Sequence, residues 1–110
     1  MAGPVKGDVV VVPFPFSNLT ASKRRPALVL CPLEGEDVIL CQITSRQLRD
    51  RDAIPIVNED FATGGLKQAS NIWPNRLFTA DRALVLYKAG SLKAEKVQEA
   101  VERLVEILRR

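Results

Sequence analysis

A mainly β domain, a small barrel or sandwich carrying one C-terminal amphipathic helix, is the fold the sequence predicts. Three observations carry this. A length of 110 residues suffices for one core but not for two. Short β-branched and apolar runs recur between turn residues along most of the chain. After Gly90 the hydrophobic pattern changes to three- and four-residue spacing.

The first strand is DVVVVPFPF (8–16), a β-branched run stopped by Pro13 and Pro15. Proline cannot donate to a strand ladder, so this end must be an edge, a bend or an exit. SNLTASKRR then reads as an irregular loop of short hydroxyl and amide side chains. PALVLC (26–31) and DVILCQIT (37–44) form a predicted hairpin, with Glu34-Gly35 at its turn because glycine supplies the positive φ. AIPIV (53–57), ASNIW (69–73) and ALVLY (83–87) complete the strands, the first at an edge because of Pro55. From Ser91, a potential N-cap, residues Leu92, Val97, Ala100, Val101, Leu104, Val105 and Leu108 mark one face of a helix. Glu99–Arg103 and Glu106–Arg110 stand four apart in the favourable order. The apolar stripe is predicted to pack on the sheet.

Composition excludes several function classes. The chain has no histidine, which removes the commonest general base, the commonest zinc ligand and every Ser/His or Cys/His nucleophile. Cys31 and Cys41 lack metal-ligand spacing and read as small buried hydrophobes. MAGPVKGD has no apolar signal core, and no apolar run approaches the ~20 residues that span a bilayer. The expectation is a soluble cytoplasmic protein. A net charge of +3 and a pI near 9.1 are compatible with a nucleic-acid partner.

The densest charge is Lys23-Arg24-Arg25, set directly before Pro26 and an apolar strand. A hairpin turn centred between Glu34 and Gly35 opposes residues whose numbers sum to 69. Leu30 then faces Ile39, Leu28 faces Cys41, Cys31 faces Val38 and Arg25 faces Thr44. Opposed Cβ atoms lie about 5 Å apart, so a guanidinium and a hydroxyl meet at the open end of the hairpin. A bulge near Pro32 would shift this register. Such a pair suits phosphate: the guanidinium fork matches two oxygens and the hydroxyl can donate to a third. Lys23, Arg24, Ser45 and Arg46 add donors along a polynucleotide backbone, and Phe14, Phe16 and Trp73 are candidate stacking surfaces. The same residue types equally make a solvated basic loop, two core phenylalanines and a threonine that ends a strand.

Over almost its whole length the chain resembles the MazF/PemK toxins of toxin–antitoxin pairs. The resemblance runs through GDVVVVPFPF (7–16), RRPALVL (24–30), CQITSR (41–46), GLKQASNI (65–72), LFTADRALV (77–85) and GSLKAEK (90–96). It implies a single toxin domain over residues 1–110. The implied fold is a small SH3-like antiparallel β-barrel, working as a homodimer whose groove binds single-stranded RNA. It also implies metal-independent endoribonuclease activity without a cofactor, restrained by a cognate antitoxin. Family catalytic residues carry over to Arg25 and Thr44, the pair the hairpin register brings together. Ser22, Lys23, Arg24, Ser45, Arg46 and Arg76 are the expected RNA contacts. Where the MazF branch often has glutamine and arginine ahead of its Thr-x-Asp element, this chain has Arg76 and Phe78, so base preference does not transfer.

The expected reaction is attack of the RNA 2′-OH on the adjacent phosphorus, leaving a 5′-OH. Arg25 would stabilise developing negative charge and Thr44 would hold the phosphate in line. Asp37 and Asp81 are carboxylates that could act as base, with nothing in the sequence selecting either. Two other readings fit the same residues: a CcdB-like toxin that binds DNA gyrase without cleaving RNA, and an inactive nucleic-acid-binding barrel.

Overall fold

The computed structural model describes residues 3–15, 22–46 and 49–110, with Pro15 and Ser22 placed only as backbone. These form a seven-stranded, wholly antiparallel sheet in the order β4-β6-β3-β2-β1-β7-β5, curled into a half-barrel. The strands are β1 (Asp8–Pro15), β2 (Ser22–Pro32), β3 (Asp37–Thr44), β4 (Ile54–Ile56), β5 (Phe61–Gly64), β6 (Ser70–Asp81) and β7 (Tyr87–Leu92). Helix α1 (Ala94–Leu108) follows.

The three central strands read as nearly continuous apolar runs because both of their faces are covered. On one face Val9, Leu28, Cys41, Ile43 and Ile72 meet Val97 and Ala100 of α1. On the other face Val10, Val12, Ala27, Val29, Val38 and Leu40 pack with Phe14, Phe78 and Val85. The helical stripe is therefore a packing face, as the spacing predicts. The C-terminal end of α1 is tied to the β3–β4 loop. Arg110 makes a two-pronged contact with Asp52 at 2.6 and 3.0 Å, and Arg103 donates to the Arg51 carbonyl at 3.1 Å.

Several boundaries differ from expectation. Residues 83–87 do not form a strand. Asp81 accepts the Ala83 N–H at 2.8 Å and caps a 3-10 turn over Arg82–Leu84, so the strand begins only at Tyr87. Ser91 and Leu92 belong to β7, with the Ser91 hydroxyl donating to Asp8 at 3.1 Å; Lys93, not Ser91, precedes the helix. Glu106 keeps its expected partner Arg110 at 3.3 Å, whereas Glu99 takes Lys96 at 3.0 Å. β5 was not foreseen. It pairs with β7 where Gly64 meets Gly90, and a Cβ on either glycine would strike the facing strand's carbonyl.

The hairpin turns at Gly35, φ +82°, as predicted. Ala27↔Gln42, Leu28↔Cys41 and Val29↔Leu40 keep the expected register. A bulge at Leu30 then shifts it, so Cys31 faces Ile39 rather than Val38, and Leu30 loses its predicted partner. Leu30 stays buried on the Leu28 face, while Cys31 is exposed, against the expectation of a buried thiol; Cys41 is buried.

Candidate functional site

Next to the turn the paired residue numbers sum to 70, as in Cys31↔Ile39, and the bulge at Leu30 brings the far end to the predicted sum of 69, as in Ala27↔Gln42. Arg25 stands two residues beyond the Ala27↔Gln42 pair, in line with Thr44, and is opposed on its other side by Val12. Side chains alternate between faces along a strand. Arg25 therefore shares its face with Ala27 and Val29, and Thr44 shares the same face with Leu40 and Gln42. The β2–β3 ladder ends at Ala27↔Gln42, and by alternation Arg25 and Thr44 lie beyond it on one face, at the margin of the second apolar cluster.

A cleft of about 660 Å³ opens on this face, with Val12, Phe14, Gln42, Asn75, Arg76 and Phe78 among its lining residues. Lys23 stands opposite Phe14 at the end of β2 and is exposed. Arg76 lies in the cleft wall with its guanidinium carbon 4.4 Å from the centre of the Trp73 ring. Trp73 is fixed in turn: its Nε1 donates to Asp50 at 2.8 Å, and Asn75 donates to the same carboxylate oxygen at 3.0 Å. The Asp52 N–H, then Asn75, then Trp73 hold the Asp50 carboxyl below its usual range. Arg76 thus covers one face of the Trp73 ring. Phe14 meets Phe78 edge-on at 4.9 Å within the cluster, which makes it core as well as cleft wall. Phe16 lies outside the described residues.

Thr44 is buried, and its Oγ1 accepts the Arg46 N–H at 3.1 Å. The Arg46 carbonyl accepts from Asn71 at 3.0 Å, which fixes the exit of β3 against β6. Arg46 itself is exposed.

The remaining predicted contacts fall elsewhere. Arg24 alternates with Arg25 and Ser45 with Thr44, so both are directed to the opposite face, where they line a separate cleft of about 640 Å³ that Arg25 also borders. No side-chain position is described for Ser22. Asp37 and Asp81 oppose each other at the far end of β3, seven residues from Thr44. At about 3.3 Å per residue that is over 20 Å away, so neither can serve as base. Among the described residues no carboxylate lines either cleft. Gln42 and Asn75 were missed by the sequence reading; the alternation Gln42–Thr44 within CQIT was the available signal for the first. Lys67, Gln68 and Tyr87 of the second cleft gave no signal, because the β5–β6 loop and β7 are brought to β2 only by the sheet order.

A curled antiparallel sheet with a terminal helix, with Arg25 and Thr44 at neighbouring strand ends, defines a small half-barrel domain. Residues 5–108 match the model of the PemK-like, MazF-like toxins of type II toxin–antitoxin systems, and the chain belongs to that family. Its fold is that of MazF from Deinococcus radiodurans (TM-score 0.74, 21% identity, 100% of both chains). It is likewise similar to the Mycobacterium tuberculosis toxin MazF-mt6 (TM-score 0.72, 19% identity, 93% of this chain and 96% of that one). A mycobacterial endoribonuclease aligns at TM-score 0.73 and 15% identity, over 99% and 94% of the two chains. No curated protein sequence matches the chain.

Proposed function

We propose that this chain is the toxin of a type II pair and acts as an endoribonuclease on single-stranded RNA in the cytoplasm. The observation that carries this reading is the common face of Arg25 and Thr44, just beyond the Ala27↔Gln42 end of the hairpin. Arg25 presents two parallel donors to the phosphoryl oxygens and offsets the charge that builds on them as the 2′-OH attacks. The burial of Thr44 restricts its hydroxyl to a phosphate drawn down onto Arg25; with its oxygen accepting from Arg46, its proton is left to donate. No histidine exists and no carboxylate lines the clefts among the described residues. The 2′-OH proton therefore passes to solvent, and catalysis is alignment and electrostatics. Metal takes no part in this scheme.

Other structures of this fold include a MazE–MazF complex from Deinococcus radiodurans and a mycobacterial endoribonuclease with its cognate antitoxin. We extend that pairing to this chain, as a homodimer held in check by its own antitoxin. Incubating the purified protein with long mixed-sequence RNA in EDTA tests the reading. Cuts at short motifs leaving 5′-OH ends are expected. Intact RNA across a wide range of sequences would leave a gyrase-binding toxin or an inactive barrel as the better account.

A further inference from the structure

The second cleft is bordered by Arg25 but opens on the other face of the sheet from Thr44. Arg24-Arg25 on β2 and Thr44-Ser45 at the end of β3 each place one polar side chain on either face of the sheet. Whatever anion sits on Arg25 and Thr44 is one strand's thickness from Arg24 and Ser45. Beyond these, Lys67 and Gln68 from the β5–β6 loop form another part of the wall. Tyr87 of β7, opposite Val11, closes the rim with 54% of its surface exposed.

The charge is one-sided. Among the described residues neither Arg24 nor Lys67 forms an ion pair, and residues 16–21 and 47–48 contain no acid. Lys88, which also borders the cleft, is answered by Asp8 at 3.3 Å. A volume of about 640 Å³ is ample for a nucleotide. An exposed tyrosine beside cations is the combination that holds unpaired bases: the ring takes a base face and the cations take the phosphate.

We propose that this cleft is a second RNA subsite, which takes a nucleotide flanking the scissile phosphate after the strand has passed over the end of the sheet. Arg24 and Lys67 hold its phosphate, and Tyr87 stacks on its base. The proposal rests on the RNA reading given above. It adds that binding extends beyond the face carrying Arg25 and Thr44, and that stacking there tolerates any base.

Fluorescence anisotropy with 2′-O-methyl RNA, which cannot undergo transesterification, tests the subsite without cleavage. Cleavage of unmodified RNA is measured beside it. Tyr87→Leu and Lys67→Gln should each raise the Kd for a long oligonucleotide about tenfold. Cleavage of saturating unmodified RNA should persist in both, because neither residue touches the reacting atoms. Tyr87→Phe, which keeps the ring, should bind like wild type. Wild-type Kd in Tyr87→Leu and Lys67→Gln, with cleavage intact, overturns the subsite; so does a Tyr87→Phe as weak as Tyr87→Leu, since stacking is then not the contact. Tyr87-dependent binding by a wild-type protein that never cuts RNA supports the subsite and removes the ribonuclease. Absence of any binding by the wild type removes both.

Discussion

Replacing Arg25 by alanine isolates the electrostatic contribution to cleavage. Arg25 is half-buried beside Val12, where water screens it only in part. A unit charge about 4 Å from a phosphoryl oxygen at an effective dielectric near 20 interacts by about 4 kcal/mol. Some of that attraction is already present when the ground-state phosphate binds, and only the increase towards the transition state speeds the reaction. Loss of a single oxyanion donor in a preorganised site costs about 2.7–4 kcal/mol, or about 100- to 1000-fold in rate. Single-turnover cleavage in EDTA should show that loss in Arg25→Ala. Arg25→Lys keeps the charge but not the planar fork, and should fall by only about tenfold. Matching melting temperatures would show that the variants fold. A folded Arg25→Ala retaining more than about a tenth of the wild-type rate, a loss under about 1.4 kcal/mol, would refute Arg25 as the charge-stabilising group.

Three further outcomes follow from the same geometry. With no histidine in the chain and no carboxylate lining the clefts among the described residues, log kcat should rise about one unit per pH unit between about pH 6 and 9. A plateau in that range would reveal a side-chain base. Arg110 holds the Asp52 carboxyl below the ordinary value of 3.8. A carboxyl depressed in the folded state contributes stability that is present above the unfolded pKa and lost as pH falls through the folded one. Urea midpoints should therefore drop as pH falls below about 4, less steeply in Asp52→Asn, and equal slopes would deny the Asp52–Arg110 pair that role. Burial pushes the Cys41 thiol up to about 12 while Cys31 is exposed. A thiol reagent at neutral pH should label Cys31 in the native protein and reach Cys41 only after unfolding; native labelling of Cys41 would contradict its burial.

The parts of the fold legible in the sequence are those fixed by local chemistry. Gly35 supplies the left-handed turn, the runs VVVV and ALVL make central strands, and Val97, Ala100 and Val101 point α1 at the sheet. Errors arose where a long-range pairing or a side-chain cap decided. The Asp81 cap turned ALVL at 83–86 into a 3-10 turn and its exit, though its composition is that of a strand. Ser91 looks like an N-cap, but its hydroxyl is taken by Asp8, 83 residues away in sequence. The Leu30 bulge removed Leu30's predicted partner and Cys31 stands exposed, and neither residue announces a bulge. Arg25 and Thr44 could be paired from sequence because the Leu30 bulge offsets a turn centred on Gly35 itself, half a residue from the predicted centre. Lys67 and Tyr87 could not, because they reach the cleft through the β1–β7 and β5–β7 pairings.

Burial on both faces also explains why three cations stand at the mouth of an apolar strand. The middle of β1, β2 and β3 has no face left for polar chemistry. A charge placed there would lose its hydration with nothing to replace it. Strand ends are the first positions where a side chain can be positioned by the sheet and still meet solvent. Arg25 is the residue before the apolar run of β2 begins, and Thr44 is the residue after the apolar run of β3 ends. In an antiparallel hairpin those two ends are the same place. Pro26 lacks an N–H to give to a partner and favours an extended backbone at Arg25, which helps to set the face on which the guanidinium stands. The arginine is thus carried on the sheet at the edge of its buried middle, where an electrostatic catalyst is preorganised. Shifting the hairpin by one residue, as an insertion between Pro26 and Val29 would do, should turn Arg25 to the opposite face and abolish cleavage even if the sheet still forms.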